Sequence, residues 1–309
     1  MKHVIESQQF SQENLFDLFN REDYFYEGLN KGLNKDRLHI LNGKIMISLF
    51  YEESTRTRLG FESAMLRLGG NVIGTENARM FSSVAKGESL KDTIRVVDDY
   101  CDIIVLRHNE EGAAQKAAGL SKVPIINAGD GKGQHPTQAL LDIYTIYKEF
   151  KKLDNLKIAI VGDLANGRTA RSLCYLLTKF ENNSIFFISP KELKMGGDIK
   201  DYLIKRQMFF TEIDNLNKIL PEVNIIYMTR IQKERMDSET YEKTKGRYII
   251  NMDNFNLINK NSRILHPLPH VEEIQLPINI EKNDSRVAYF RQAENGLYIR
   301  MALLDFILL

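Results

Sequence analysis

Cysteine is almost missing from this chain: Cys101 and Cys174 are the only two in 309 residues, both set in apolar surroundings and without C-x-x-C spacing. Neither a disulfide framework nor a zinc site fits such a pair, and a reducing, cytoplasmic compartment is expected. An excess of charge of one sign is missing too, since 42 Lys and Arg stand against 41 Asp and Glu for a formal net charge of +1. No global positive field exists to attract nucleic acid or an anionic membrane, so neither is expected as a partner, and any cationic site must be local. Apolar runs of the roughly 18 residues that a membrane helix needs do not occur, and Met1 to Ser7 lacks the apolar core of a secretory leader. The sequons at Asn182 and Asn283 therefore read as chance.

Several motifs are absent as well. The six histidines form no H-E-x-x-H pair and the carboxylates form no cage, so no metal is expected. Val161 to Arg168 follows a strand and opens a helix, yet it lacks G-x-G-x-x-G spacing. The next strand, moreover, ends in Ser189-Pro190, where a dinucleotide site wants an acidic ribose ligand. No G-x-x-x-x-G-K-[ST] loop is present either. No cofactor is expected.

What is present is a chain with 43% hydrophobic and 27% charged residues, long enough for two α/β domains. Strand-like apolar runs alternate with helical patterns, which predicts two domains, each a mostly parallel sheet with helices on both faces. Strands are expected at Lys44 to Phe50, Asn71 to Ile73, Ile103 to Leu106 and Val123 to Asn127 in the first half. The second half offers Lys157 to Val161, Ser184 to Ile188, Ile225 to Met228, Tyr248 to Asn251 and Arg263 to Leu265. A long amphipathic helix beginning near Pro136 separates the two sets and ends in the charged patch Lys148 to Lys152, which places the junction there. Residues 1–147 with 292–309 are expected to form one domain and 148–291 the other, with a terminal helix from Gly296 to Leu309.

Chemistry concentrates where strands meet helices. Ser54-Thr55-Arg56-Thr57-Arg58 lies between an apolar strand and the helical spacing of Leu59, Phe61, Met65, Leu66 and Leu68. Unsatisfied N–H groups, hydroxyl donors, the positive end of a helix dipole and a guanidinium together favour a dianion, with Ser54 or Thr55 near the N-cap. Arg107-His108, Gly129 to His135, Arg168, Arg230 and His266 to Pro269 also follow predicted strands. Because open parallel sheets bind ligands beyond the carboxyl ends of their strands, these clusters are expected to converge on one crevice.

Ser54 to Arg58, His135-Pro136-Thr137-Gln138 and His266-Pro267-Leu268-Pro269 together resemble the carbamoyltransferase family, and within it the aspartate-using branch. The likeness covers nearly the whole chain, taking in Ser82 to Glu88, Leu106-Arg107-His108, Gly162-Asp163-Leu164, Gly167-Arg168-Thr169, Tyr227 to Arg235 and Tyr289 to Gly296. Ornithine-using relatives carry a cysteine in the His-x-Leu-Pro motif and a Ser-Met-Gly element. Here Pro267 stands in the cysteine position and the second element is absent. A cationic acceptor would also want carboxylates, whereas Arg168, Arg230 and Gln232 suit an acidic one.

The resemblance implies transfer of the carbamoyl group of carbamoyl phosphate to L-aspartate, an early step toward pyrimidines, with no covalent enzyme intermediate. It implies Arg56, Thr57, Lys86, Arg107 and His135 as catalytic groups. Carbamoyl phosphate would be held by those five together with Ser54, Thr55, Ser82, Gln138, Leu268 and Pro269, and aspartate by Lys86, Arg168, Arg230, Gln232 and the backbone carbonyl of Leu268. Glu52 and Asp163 are expected behind the arginines. The resemblance also implies a homotrimer with shared active sites, Ser82 and Lys86 reaching the neighbouring chain, and leaves a separate regulatory chain open as a further partner. A different amino-acid acceptor, or a non-catalytic binding or scaffold relative, are the alternatives; the latter predicts an eroded cluster, and no matched ligand position is eroded. One departure stands out: the family motif continues His-Pro-Leu-Pro-Arg, and this chain has His270 at the arginine position.

Overall fold

The computed structural model describes residues 1–32, 38–78 and 86–309. The chain divides into two compact units, Met1–Leu140 with Glu294–Leu309, and Leu141–Ala293.

The first unit is built on a four-stranded sheet in the order β2-β1-β3-β4, with β1 Ile45–Phe50, β2 Asn71–Thr75, β3 Ile103–His108 and β4 Ile125–Asp130. Every pair is parallel, with Ile45 opposite Asn71, Met46 opposite Ile103 and Ile104 opposite Ile125. Parallel strands need crossover connections, and the helices that supply them cover the sheet. The inner strands β1 and β3 therefore open as apolar runs, and they and β4 are buried almost throughout, whereas the edge strand β2 is mostly exposed. Ile47, Leu49, Ile104, Leu106 and Ile125 pack with Ala114 and Ala117 in the core of this unit.

The second unit carries a five-stranded parallel sheet in the order β10-β8-β5-β6-β7, with β5 Lys157–Val161 at its centre. Its other strands are β6 Ser184–Ile188, β7 Phe209–Ile213, β8 Ile225–Met228 and β10 Arg263–Leu265. Val161, Ile226, Met228, Ile264, Phe255 and Tyr289 belong to its core. A separate two-stranded sheet pairs β9 Ile250–Asn251 with β11 Ile274–Gln275.

The fold is the expected one, with three local corrections. β7 escapes a reading of periodicity because it is an edge strand, bonded on one side only and leaving Phe209 largely exposed, so its sequence need not alternate. Tyr248 to Asn251 does not extend the second large sheet. Only Ile250 and Asn251 pair, and the Tyr248 hydroxyl instead donates to the carbonyls of Ser189 and Asp214. The terminal helix runs over Tyr289–Leu308, well before Gly296, because its first turns carry the buried polar residue Gln292 and the apolar spacing is broken there. The helix expected at Pro136 spans Pro136–Phe150, and Lys151 just beyond it takes a positive φ of 55°.

Candidate active site

In the first unit, β1 leads through Tyr51, Glu52 and Glu53 into the helix Thr55–Arg67, with Ser54 at its N-cap. The Ser54 side chain makes no capping hydrogen bond and the first turn holds no acidic residue, so the positive end of the helix keeps its attraction for an anion. Thr57 is buried, Ser54 half-buried, and Thr55 and Arg56 exposed. The two arginines of the motif part company. Arg58 is drawn into ion pairs with Glu76 at 3.1 Å and Glu62 at 3.8 Å and is half-buried, whereas Arg56 on the first turn is exposed.

Parallel pairing brings a second cation to the same end of the sheet, for Arg107 on β3 lies opposite Phe50 on β1. Only 8% of Arg107 is exposed, and its Nη1 donates to the Ala128 carbonyl at 3.1 Å while Nη2 lies 3.5 Å from Glu52 Oε1. Glu52 thus stands behind an arginine as expected. His108, one residue on, has a structural role: its Nδ1 accepts the Glu110 N–H at 3.0 Å, its ring lies 4.6 Å from that of Tyr51, and burial lowers its pKa.

The loop from Gly129 to His135 is tied down by Asp130, whose Oδ1 accepts from Asn127 Nδ2 and the Gln134 N–H, both at 3.1 Å, and whose Oδ2 accepts the Gly112 N–H at 2.9 Å. At its end His135 is buried, and its Nδ1 lies 3.3 Å from the backbone N–H of Gln138 in the first turn of the next helix. The same N–H also donates to the His135 carbonyl at 3.0 Å, and the Thr137 hydroxyl lies 3.3 Å from Nδ1; with Nδ1 accepting from these two donors, the ring proton sits on Nε2. His135 is thereby set as a hydrogen-bond donor at Nε2. Gln138 is buried beside it. Lys86 is exposed, and Ser82 lies outside the described residues.

In the second unit, Gly162 directly follows β5 at φ 119°, where a Cβ would meet the Thr229 carbonyl oxygen at 2.1 Å. Only glycine allows the ends of β5 and β8 to approach so closely. Thr229 is stitched to Val161 by its N–H at 2.8 Å and its hydroxyl at 2.9 Å, which fixes the start of the segment carrying Arg230 and Gln232. Asp163 is fully buried; its Oδ1 accepts from the Asn166 N–H at 3.0 Å and its Oδ2 from the Gln232 N–H at 3.4 Å. Burial raises its pKa despite these donors. Arg168 opens the helix Arg168–Leu177 and is 8% exposed.

Arg230 is gripped by Glu234 through two contacts, Nη1 to Oε2 at 3.0 Å and Nη2 to Oε1. The hydrogen bonds that Arg230 donates to Glu234 raise the Arg230 pKa and lower the Glu234 pKa. Leu268 has a φ of 55°, in the left-handed region, and its N–H donates to His266 Nδ1 at 2.8 Å. Pro269 follows it, exposed. His270 turns toward Glu281, 3.5 Å from Nε2 to Oε1, with its ring 5.3 Å from that of Tyr289, whose hydroxyl donates to the same carboxylate. Among the described residues no group of three or more His, Cys, Asp and Glu is placed to hold a metal ion, and no helix is long and apolar enough to cross a membrane.

Sequence reasoning did not single out several residues that hold the candidate site residues in place: Glu234, Asn166, Asp142, Gln292 and Glu273. Glu234 and Asn166 carry a local signal, spaced four residues from Arg230 and three from Asp163, and Glu273 lies seven residues from His266. Asp142 and Gln292 meet through the tertiary fold.

Comparison with known proteins agrees with this layout. Residues 2–148 match the aspartate/ornithine carbamoyltransferase, carbamoyl-P binding domain, and residues 154–307 match the Asp/Orn binding domain of the same family. The chloroplastic aspartate carbamoyltransferase 1 of Pisum sativum is 52% identical over 308 residues, covering 99% of this chain and 78% of the relative. The solved catalytic subunit of M. jannaschii aspartate transcarbamoylase superposes with a TM-score of 0.89 at 47% identity, covering 99% of this chain and 98% of the other. The aspartate transcarbamoylase of Trypanosoma cruzi, solved in complex with carbamoyl phosphate and aspartate, gives a TM-score of 0.91 at 34% identity, covering 98% and 95% of the two chains.

Proposed function

The chain belongs to the aspartate/ornithine carbamoyltransferase family, and we propose that it transfers the carbamoyl group of carbamoyl phosphate to the amine of L-aspartate. The products are N-carbamoyl-L-aspartate and phosphate, an early step of pyrimidine synthesis. The observation that carries this reading over an ornithine-using one is the character of the second unit, where Arg168 opens a helix and Arg230 sits at the end of β8. Two guanidinium groups at strand ends suit the two carboxylates of aspartate and would repel a cationic side chain.

In this reading Ser54, Thr55, Arg56 and Thr57, at the helix N-terminus, hold the phosphate of carbamoyl phosphate. The donors Arg107 and His135 Nε2–H serve the carbonyl oxygen, where negative charge grows as the amine attacks, and Thr57 adds a hydroxyl. Gln138 holds the carbamoyl amide. Arg168, Arg230 and Gln232 take the aspartate carboxylates, and the Leu268 carbonyl receives the amine, with Pro269 beside it. The nitrogen–carbon bond forms, the carbon–oxygen bond to phosphate breaks, and the proton shed by the amine leaves with the phosphate. Positioning and preorganised donors supply the rate; no residue forms a covalent bond.

Lys86 and Ser82 complete the reading from a second copy of the chain, in a homotrimer whose sites are shared. Lys86 lies exposed in this chain, as a residue serving a neighbour would be.

The test of the reaction is formation of carbamoyl aspartate by purified protein supplied with carbamoyl phosphate and either L-aspartate or L-ornithine. Aspartate should be the substrate. A higher kcat/KM with ornithine would overturn the assignment.

A further inference from the structure

A buried chain of hydrogen bonds runs through the second unit and ends on the Leu268 turn. The Tyr227 hydroxyl donates to Asp142 Oδ2 at 2.6 Å, and Asp142 Oδ1 accepts from Gln292 Nε2 at 2.6 Å. Gln292 Oε1 accepts the backbone N–H of His266 at 2.8 Å. The His266 ring then bridges two groups, taking the Leu268 N–H on Nδ1 at 2.8 Å and meeting Glu273 Oε1 from Nε2 at 2.8 Å. Glu273 Oε1 also accepts the Val271 N–H at 3.2 Å, so the pair clasps the turn at both ends. All five side chains are buried, from fully for Tyr227 and Asp142 to 4% exposed for Glu273.

The turn needs holding. Leu268 has a φ of 55°, a region that a side chain with a Cβ avoids unless its surroundings over-determine it. The Leu268 N–H can only donate, so His266 Nδ1 must stay unprotonated and the ring proton belongs on Nε2, directed at Glu273. Burial of the carboxylate works to raise the Glu273 pKa, but the His266 contact and the backbone N–H donors of Glu273 and Val271 together outweigh it and the pKa is lowered, which keeps Glu273 a pure acceptor at neutral pH.

We propose that Glu273, acting through His266, is a positioning residue for the acceptor substrate: the pair fixes the Leu268 turn whose backbone carbonyl receives the aspartate amine. The proposal rests on the acceptor role given to Leu268 above. It also supplies a pH response, because a proton on Nδ1 would face the Leu268 N–H donor to donor and release the turn. The groups bearing on that protonation are Glu273, which favours it; Arg230, whose charge couples to Glu273; His270, with its ring 6.1 Å from that of His266; and Asp142, reached through Gln292.

Three variants test this. His266→Ala removes the acceptor, His266→Asn restores an unprotonatable acceptor near the Nδ1 position, and Glu273→Gln keeps the hydrogen bond without the charge. His266→Ala should raise KM for aspartate by about 10-fold or more while carbamoyl phosphate binding stays unchanged, and His266→Asn should recover most of the loss. Glu273→Gln should move the acid limb of kcat/KM for aspartate to lower pH, since a charge that favours the imidazolium is gone. If His266→Asn is no better than His266→Ala while both melt as the parent does, or if the Glu273→Gln profile superimposes on the parent's, the proposal falls. Nitrogen-15 NMR of the histidine rings separates the two parts. A resting ring with its proton on Nδ1 disproves the pairing, whereas the expected tautomer together with aspartate kinetics indifferent to His266→Ala sinks the acceptor role of Leu268.

Discussion

Arg230 and Glu234, four residues apart, form a two-pronged ion pair. Side-chain exposures of 31% for Arg230 and 53% for Glu234 put the pair in a well-hydrated setting, where such contacts contribute about 0–1 kcal/mol. Glu234 therefore holds the guanidinium in place, and giving it up to a substrate carboxylate costs little. Arg230→Ala should raise KM for aspartate by about 10- to 100-fold, the scale of one lost charge-assisted interaction. Carbamoyl phosphate binding, assigned to the other unit, should be nearly unchanged. Initial rates paired with equilibrium binding of carbamoyl phosphate check both halves, and equal damage to both ligands would mean that the allocation is wrong.

With Nδ1 accepting from the Gln138 N–H and the Thr137 hydroxyl, His135 presents its proton on Nε2. His135→Ala removes one donor from the carbonyl oxygen and should lower kcat by about 100- to 1000-fold. Steady-state kinetics at saturating substrates make the measurement, with thermal melting to show that the fold is retained. A loss below about fivefold would exclude His135 from stabilising the transition state.

Burial pushes the Cys174 thiol up to about 12 and Cys101 up to about 11. Little thiolate exists in the folded protein near pH 8, and Cys174 is fully enclosed. A chromogenic disulfide reagent at that pH should react with both only slowly, and quickly once denaturant is added. Rapid stoichiometric labelling of the native protein would contradict the packing around β5 and the helix Arg168–Leu177.

Glu149 lies between two guanidinium groups, at 2.6 Å from Arg263 Nε and 2.7 Å from Arg291 Nε. Burial works against its charge, but the hydrogen bonds from Arg291 and Arg263 prevail and its pKa falls below the usual 4.5. A carboxylate whose folded pKa is depressed adds stability above its unfolded pKa and loses it as the pH falls through the folded value. Arg291 is 43% exposed, so the full value of a buried pair does not apply, and Glu149→Gln should cost about 1–2 kcal/mol at pH 7. Below the depressed pKa the variant and the parent should converge. Urea midpoints measured from pH 7 down to pH 3 check this, and a constant gap across that range would contradict it.

Lys86 and Arg56 are assigned to different copies of each shared site. Arg56→Ala and Lys86→Ala proteins should each be nearly inactive, yet dissociating and mixing them should restore activity in hybrids where one chain supplies the arginine and its neighbour the lysine. Hybrid assemblies confirmed by mass that stay as inactive as both parents would place Lys86 within its own chain's site and end the shared-site reading.

The sequence by itself determined the class of fold and the addresses of the chemistry. Continuous apolar runs such as Ile45 to Phe50 can be satisfied only between covering helices, so they mark inner parallel strands, and the residues just beyond them had to lie at one end of a sheet. The hydroxyl and arginine motif from Ser54 to Arg58 announced a helix N-terminus, since backbone N–H groups there need partners that local residues do not provide. Sequence could not determine which carboxylate or carbonyl meets each charged or polar side chain. Arg56 and Arg58 look equivalent on paper, yet Glu76, from the segment that follows β2, claims Arg58. The bond between buried Asp142 and Gln292 joins segments 150 residues apart, and Gln292 then reaches the His266 backbone across 26. Local propensity acts over a few residues, whereas hydrogen-bond pairing falls off within a fraction of an ångström, so only the packed tertiary structure could decide which partners meet.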